Sequence, residues 1–418
     1  MKKIAKLSLV AAIAVSGFTS ANAQSLEEAI KGVETSGSVV YRYNDYNNDN
    51  AAKNNDSTTT NHYKVGMNLA SKVNEDVKFN SRFLVGGADG GFAALESQST
   101  GDSNVDVELS NVYFGYTGIQ NTTVNVGKQG LTTPWTVAVD SDGNEQTGTG
   151  ILALSTVGPV TLAGAYFNQT NLGQSGGILK DGSTFLFSDT NGDGVWQNTE
   201  PTTGSSNDAK ISSRSVATIG AIAVAGPVTI DAWYLDMADT FDSYTVGAKS
   251  ALDINGIKLG ADARFASLTT DATGSKANTM GKLVLTADAG LVDGKIAYAM
   301  TDKDGGLTAL DADASTTLLG WNLTALDKAD ADYWQAVLGF DILSNLNLSA
   351  NYGNIQYAVA TSDVEEEEIY GQLLYKMSKN FTTYARYGVY TKETTTSAGK
   401  TTDNNDDVRG RLQVEYTF

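Results

Sequence analysis

Val408-Arg-Gly-Arg-Leu-Gln-Val-Glu-Tyr-Thr-Phe418, the last stretch of the chain, sorts its side chains onto two faces. Successive residues of an extended strand point to opposite sides. Leu412, Val414, Tyr416 and Phe418 therefore share one face, and Arg409, Arg411, Gln413 and Glu415 share the other. In a transmembrane β-barrel the first face meets hydrocarbon and the second meets a wet lumen. A soluble sandwich strand alternates in the same way, so the ending needs support from the start of the chain.

The start supplies it. Met1-Lys-Lys-Ile-Ala-Lys6 is basic, Leu7 to Phe18 is largely apolar with small residues, and Ala21-Asn22-Ala23 has the A-x-A form of a signal-peptidase site. This reading predicts a cleaved signal peptide over 1–23 and a mature chain from Gln24. No other run of about 18 apolar residues follows, so no transmembrane helix is expected. An exported chain without helical spans is periplasmic, extracellular or an outer-membrane barrel.

Composition favours the barrel. Glycine is abundant (43) and proline scarce (4), and 19 Tyr with 13 Phe exceed what a disordered secreted chain carries. There is no cysteine. Neither disulfides nor thiolate metal sites hold the fold, although export leads to an oxidising compartment. Cohesion must come from the hydrogen-bond ladders of a closed sheet, because lipid cannot satisfy an open edge. The net charge of −19 argues against nucleic acid as a partner and suits a lumen that attracts cations.

Alternating, aromatic-rich segments recur along the whole chain. They read as about 18 strands, near 36–46, 60–73, 76–88, 104–117, 120–128, 148–156, 159–168, 213–225, 227–237, 243–254, 256–268, 277–289, 291–301, 331–342, 345–357, 365–377, 380–391 and 406–418. Short turns such as Val157-Gly-Pro159, Ala225-Gly-Pro227 and Asn255-Gly256 alternate with long polar loops near 46–60, 89–103, 129–147, 168–212, 301–330 and 392–405. That rhythm is the mark of an all-β, antiparallel up-and-down barrel with periplasmic turns at one end and surface loops at the other. No linker interrupts it, so 24–418 reads as one domain with no plug. A barrel of this strand number leaves an aqueous channel. Because a cation on the lipid face near the midplane costs ~2–4 kcal/mol, Arg42, Arg82, Arg264, Arg386, Arg409 and Arg411 are expected to point inward.

Several short stretches resemble one family. They are Leu26-Glu-Glu-Ala-Ile-Lys31, Tyr41-Arg-Tyr43, Ala88-Asp-Gly-Gly91, Gly127-Lys-Gln129, Trp135-Thr136 and Gly148-Thr-Gly150. In their order and spacing the chain is similar to the Campylobacter-type major outer membrane porins, general porins of the epsilonproteobacteria. The resemblance is dense over 1–150 and thin afterwards. It implies a trimeric, 18-stranded general porin whose third loop folds inward to narrow the pore.

The third loop, Gly130 to Thr147, carries Asp140, Asp142 and Glu145. An inward carboxylate cluster facing a basic wall makes a transverse field that orients dipolar solutes and filters ions by sign. Arg42, Arg82 and Lys128 are candidates for the wall, with Arg386 completing the set. The bland alternative is a polar surface loop turning at Ser141-Asp-Gly-Asn144. A second motif, Asp189-Thr-Asn-Gly-Asp-Gly-Val-Trp-Gln-Asn-Thr-Glu200, fits the calcium-loop pattern D-x-[DN]-x-[DN]-G-x5-E. Asp189, Asn191, Asp193, the Val195 carbonyl, Gln197 and Glu200 would surround Ca²⁺ and order the 168–212 loop, with an affinity of roughly 10⁻⁴–10⁻³ M. A Gly/Asp/Asn-rich surface turn is the competing account. Glu365-Glu-Glu-Glu368 reads as a solvated charge run near the outer rim.

His62 is the single histidine, and without cysteine nothing marks a nucleophilic pair, so an enzyme is not expected. The expected activity is passive diffusion of ions and small hydrophilic solutes, mildly cation-preferring. Outer-membrane lipid, lipopolysaccharide and two further copies of the chain would surround the barrel. The alternative is a structural or adhesive barrel whose surface loops bind a partner.

Overall fold

A computed structural model describes residues 32–48, 56–87, 91–94, 106–140, 143–175, 211–271, 275–359, 361–396 and 399–418. Residues 1–23, read from sequence as a signal peptide, lie outside them. The strands are β1 (Glu34–Asn48), β2 (Asp56–Lys72), β3 (Val77–Gly86), β4 (Ala93–Ala94), β5 (Asp106–Ile119), β6 (Thr122–Gly130), β7 (Thr147–Val157), β8 (Val160–Thr170), β9 (Val216–Ala225), β10 (Val228–Met237), β11 (Phe241–Ile254), β12 (Ile257–Thr270), β13 (Asn278–Asp288), β14 (Val292–Thr301), β15 (Ala329–Leu343), β16 (Leu346–Val359), β17 (Ser362–Ser378), β18 (Phe381–Thr396) and β19 (Gly399–Thr417).

β3 and β4 are one stave of the barrel. β3 pairs with Val65–Lys72 of β2, and β4 continues the same line opposite Tyr63 and His62. The wall therefore has eighteen staves. Each pairs antiparallel with its sequence neighbours, and β19 pairs with β1 to close the ring. Phe418 exchanges backbone hydrogen bonds with Gly37 at the seam, at 2.9 and 3.0 Å. Among the described residues closure leaves no unpaired edge, which a bilayer would penalise.

Register carries the two-faced pattern around the sheet. Val39, Val65, Val85 and Val107 stand opposite one another on successive staves, all outward. Outward hydrophobics stay uncovered by protein: Tyr387 is 68% exposed, Ile219 64% and Leu338 63%. Hydrocarbon, not water, is the solvent that favours such a band. The short turns match the twist of the strands. Ile254 pairs directly with Ile257 across Asn255-Gly256, both in positive φ (55° and 85°), the geometry of a two-residue hairpin.

The inner face divides into two regions. On β18, β19, β1, β2 and β3 it is charged: Arg386, Arg409, Arg411, Arg42, Lys64 and Arg82 all occupy inward positions, and so does Arg264 across the ring on β12. On β8 to β12 it is apolar, with Phe167, Val216, Leu235, Met237, Phe241 and Leu268 buried under Leu131, Trp135, Leu307 and Leu310. On β14 to β18 Ala297, Ala299, Tyr333, Ile355, Tyr357, Val364 and Tyr390 are buried under Leu318, Leu323 and Ala325. A uniformly wet inner wall is thus corrected. Segment 302–328, read from sequence as a long polar surface loop, covers the apolar region, and that contact removes Leu307, Leu310, Leu318 and Leu323 from water.

Candidate functional site

The residues between β6 and β7 close on themselves before they meet anything else. Leu131 N–H donates to the Gln146 carbonyl and Gln146 N–H to the Val137 carbonyl, both at 2.9 Å. Thr136 Oγ1 donates to the Leu131 carbonyl. These bonds satisfy the backbone of a segment with no sheet partner. Trp135 is fully buried in the apolar cluster and anchors it.

The same segment is tied to the basic wall. Arg82 on β3 donates through Nε to Glu145 Oε2 at 2.7 Å and through Nη2 to Oε1 at 2.6 Å. This is a bidentate pair between side chains that are 4% and 1% exposed as residues. Lys64 on β2 stands 3.6 Å from the same carboxylate and donates to the carbonyls of Asp140 (2.6 Å) and Gly143 (3.0 Å). Gly66 gives the guanidinium its room, since a Cβ there would lie 2.4 Å from Arg82 Nη2.

Segment 302–328 meets 131–146 from the other side. Leu310 N–H donates to the Trp135 carbonyl at 2.8 Å, Thr316 N–H to that of Pro134 at 3.2 Å, and Gln146 Nε2 to that of Leu310 at 2.8 Å. At the junction the carboxylates of Asp140, Asp311 and Asp313 gather within 4.8 Å of one another. Burial, reinforced by the nearby Asp140 charge, pushes the Asp311 carboxyl up to about 6. Three convergent carboxylates are a donor set that a hard divalent cation accepts.

The sequence-derived residues fall out as follows. Arg82, Asp140 and Glu145 come together. Arg42 lies two staves from Arg82, donates to Gln413 Oε1 through Nε (2.8 Å) and Nη2 (2.6 Å), and rests on the Phe92 ring. Arg386 lies beyond it on β18, hydrogen-bonded to Gln372. Lys128 is not on the wall. It shares the outward face of β6 with Val124 and Val126, and its Nζ donates to the Leu109 carbonyl at 3.0 Å. Strand parity, which gives the inward positions to Asn125, Gly127 and Gln129, overrides its proximity to the third loop. Asp142 lies outside the described residues, as do Asp189, Asn191, Asp193, Val195, Gln197 and Glu200.

Sequence reasoning missed Lys64, although Tyr63-Lys-Val65 alternates plainly, and it missed Asp311 and Asp313. It also misjudged the glutamate run. Glu366 and Glu368 point inward and are buried, while Glu365 and Glu367 point outward. Glu368 accepts from Trp321 N–H (3.0 Å), Asn322 N–H (2.7 Å) and Asn322 Nδ2 (3.1 Å), so it fastens the tip of segment 302–328. His62 sits inward opposite Arg42 with its ring edge-on to Phe92.

Comparison with known proteins agrees with this architecture. OccK2 of Pseudomonas aeruginosa, solved in complex with glucuronate, is 14% identical with a TM-score of 0.67, over 92% of this chain and 98% of that one. OpdK of the same species, solved with vanillate, is 14% identical over 92% and 98%, TM-score 0.65. A BenF-like porin from Pseudomonas fluorescens Pf-5 is 16% identical over 92% and 98%, TM-score 0.66. At these identities the likeness establishes a shared barrel fold. No curated protein matches the chain. The family model described as Campylobacter major outer membrane protein matches residues 1–418, its whole length. Sequence family and closed eighteen-stave barrel converge: the chain belongs to the Campylobacter major outer membrane protein family and is an outer-membrane channel.

Proposed function

We propose that the barrel is a general diffusion porin, a water-filled passage for ions and small hydrophilic solutes, narrowed by segment 131–146 and preferring cations. The carrying observation is the Arg82–Glu145 pair, which fastens that segment to an inward side chain of the wall. Segment 302–328 acts with it as a second narrowing element. Cation preference is supported by the net charge of −19 and by the carboxylates of Asp140, Asp311 and Asp313 at the junction of the two segments. That OccK2 was solved with glucuronate and OpdK with vanillate supports small organic solutes as cargo alongside ions. The porin works as a homotrimer among lipid and lipopolysaccharide, and Ca²⁺ held by Asp189, Asn191, Asp193, Val195, Gln197 and Glu200 orders the 168–212 loop.

Planar-bilayer recording of the purified chain across a KCl gradient is the test. Open-channel steps with a reversal potential of cation-selective sign are expected. An absence of steps, or a clear anion preference, overturns the reading.

A further inference from the structure

The basic wall is held differently at its two ends. Arg82 and Lys64 meet the Glu145 carboxylate. Arg386 meets none: no ion pair among the described residues uses it. Its Nε donates to the neutral amide of Gln372. Three rings surround the guanidinium, Tyr384 at 4.6 Å, Tyr370 at 5.7 Å and Trp321 at 5.9 Å.

Directly opposite Arg386 in the β18–β19 register stands a second cation, Arg411, also inward. It donates to Asn44 Oδ1 at 2.9 Å and to the Tyr46 hydroxyl at 3.3 Å. Like charges facing each other across a ladder oppose folding. The chain has 48 acidic residues against 29 basic ones, yet the side chain that accepts from Arg386 is a neutral amide. Neutral acceptors orient an arginine while leaving its charge to act on something else.

Trp321 completes the arrangement. Its ring lies 5.9 Å from Arg386 and 5.8 Å from Arg411, edge-on to Tyr370 at 5.0 Å. It is only partly buried. Glu368 and Arg409 hold it there, the first through the Trp321 and Asn322 amides, the second by donating to Asn322 Oδ1 at 3.1 Å. Glu368 is the nearby acid, and both its oxygens are already engaged by those donors.

We propose that Arg386, Arg411 and Trp321 form a station that holds, in transit, solutes carrying a carboxylate on a flat apolar body. The guanidinium forks match the planar carboxylate, and the body stacks on the indole. Occupancy must be brief, since conduction requires a site weak enough to leave. The inference deepens the channel reading by naming a solute class, and it rests on that reading.

The test is single-channel recording of the full-length protein in KCl with three probes. Benzoate carries ring and charge, benzamide the ring alone, and acetate the charge alone. Benzoate is expected to interrupt the current in a saturable way, benzamide not at all, and acetate only at concentrations about tenfold higher. R386Q should raise the half-blocking benzoate concentration about tenfold, equivalent to ~1.4 kcal/mol, and R386K by less, because it keeps the charge without the fork. W321A should bring benzoate to the level of acetate. The steps of R386Q in KCl, of whatever size, show that the variant is a folded channel; if it gives none, R386K and W321A carry the comparison. Interruption by benzamide equal to that by benzoate, or an unchanged half-blocking concentration in these variants, overturns the station. Absence of any steps in the unmodified protein overturns the channel reading itself, so the two failures are distinct.

Discussion

Glu145→Gln separates the hold of charge from the hold of packing on segment 131–146. In the unmodified chain one carboxylate neutralises Arg82 at 2.6 Å and faces Lys64 at 3.6 Å, with all three side chains buried. Removing the charge leaves two buried cations without it, and breaking a buried pair costs about 3–5 kcal/mol. The amide still accepts one hydrogen bond, returning about 1 kcal/mol. The tether is thus weakened by about 2–4 kcal/mol, roughly a 30- to 1000-fold gain in the open population. Trp135 resists. A side chain that buries about 150–250 Å² at about 25 cal/mol per Å² contributes ~4–6 kcal/mol, so the start of the segment stays docked. Hydrogen exchange of the detergent-solubilised protein should show a faster Gln146 amide with Leu172 and Phe167 unaffected. Bilayer recordings should show larger conductance and a reversal potential moved toward anions. The double variant Arg82→Met/Glu145→Leu should restore protection, because an apolar pair of similar volume replaces a buried ion pair at little cost. Unchanged conductance and exchange in Glu145→Gln, or a double variant as loose as the single, would refute the reasoning.

Trp135→Ala should lower stability by about 3–5 kcal/mol, the usual cost of emptying a fully buried aromatic site, and should raise conductance; thermal unfolding followed by circular dichroism checks the first and bilayer recording the second. Glu368→Ala should release the Trp321–Asn322 tip, since it removes three hydrogen bonds to a charged acceptor, and faster exchange at those two amides is the readout. Chelation of calcium should speed proteolytic nicking of 168–212, and Glu200→Ala should reproduce that rate in the presence of calcium; equal nicking under all three conditions would remove the calcium loop from consideration.

The wall was legible in the sequence because lipid enforces its pattern. A period of two, sustained between turns such as Asn255-Gly256, fixes strand, face and register together. Each inferred strand overlaps an observed one, with the largest shift at the start of β19 (Gly399 against 406), and among the described residues the excursion between Gly86 and Ala93 splits one stave. The site was legible in part. Glu145 and Arg82 are 63 residues apart, and nothing local announces that they meet. Lys128 adjoins the third loop in sequence, but its parity with Val126 turns it outward. Segment 302–328 was misread because its charged start, Asp302-Lys-Asp304, outweighed Leu307, Leu310, Leu318, Leu319, Leu323 and Leu326, which a solvated loop has no reason to carry.

The inward apolar residues explain why two segments, and not one, fold against the wall. Tyr333, Ile355 and Tyr357 on β15 and β16, with Phe167 and Leu235 on β8 and β10, break the polar-in rule in two buried clusters on the inner face. Left bare they would face water. Covered by Leu310, Leu318, Leu323 and Trp135 they become a core inside the barrel, and the covering segments need no strand pairing to stay in place. The opposite wall, from β18 round to β3, carries Arg386, Arg411, Arg42, Lys64 and Arg82 in place of apolar side chains. Arginine and lysine heads favour water or counter-charge over an apolar cover. Segment 131–146 meets that wall where Glu145 supplies such a charge and where the Asp140 and Gly143 carbonyls accept from Lys64. On the proposed reading, in which the two segments narrow the channel, the passage is confined to the strip between them and the basic staves. Its position follows from which staves carry leucine inward and which carry arginine.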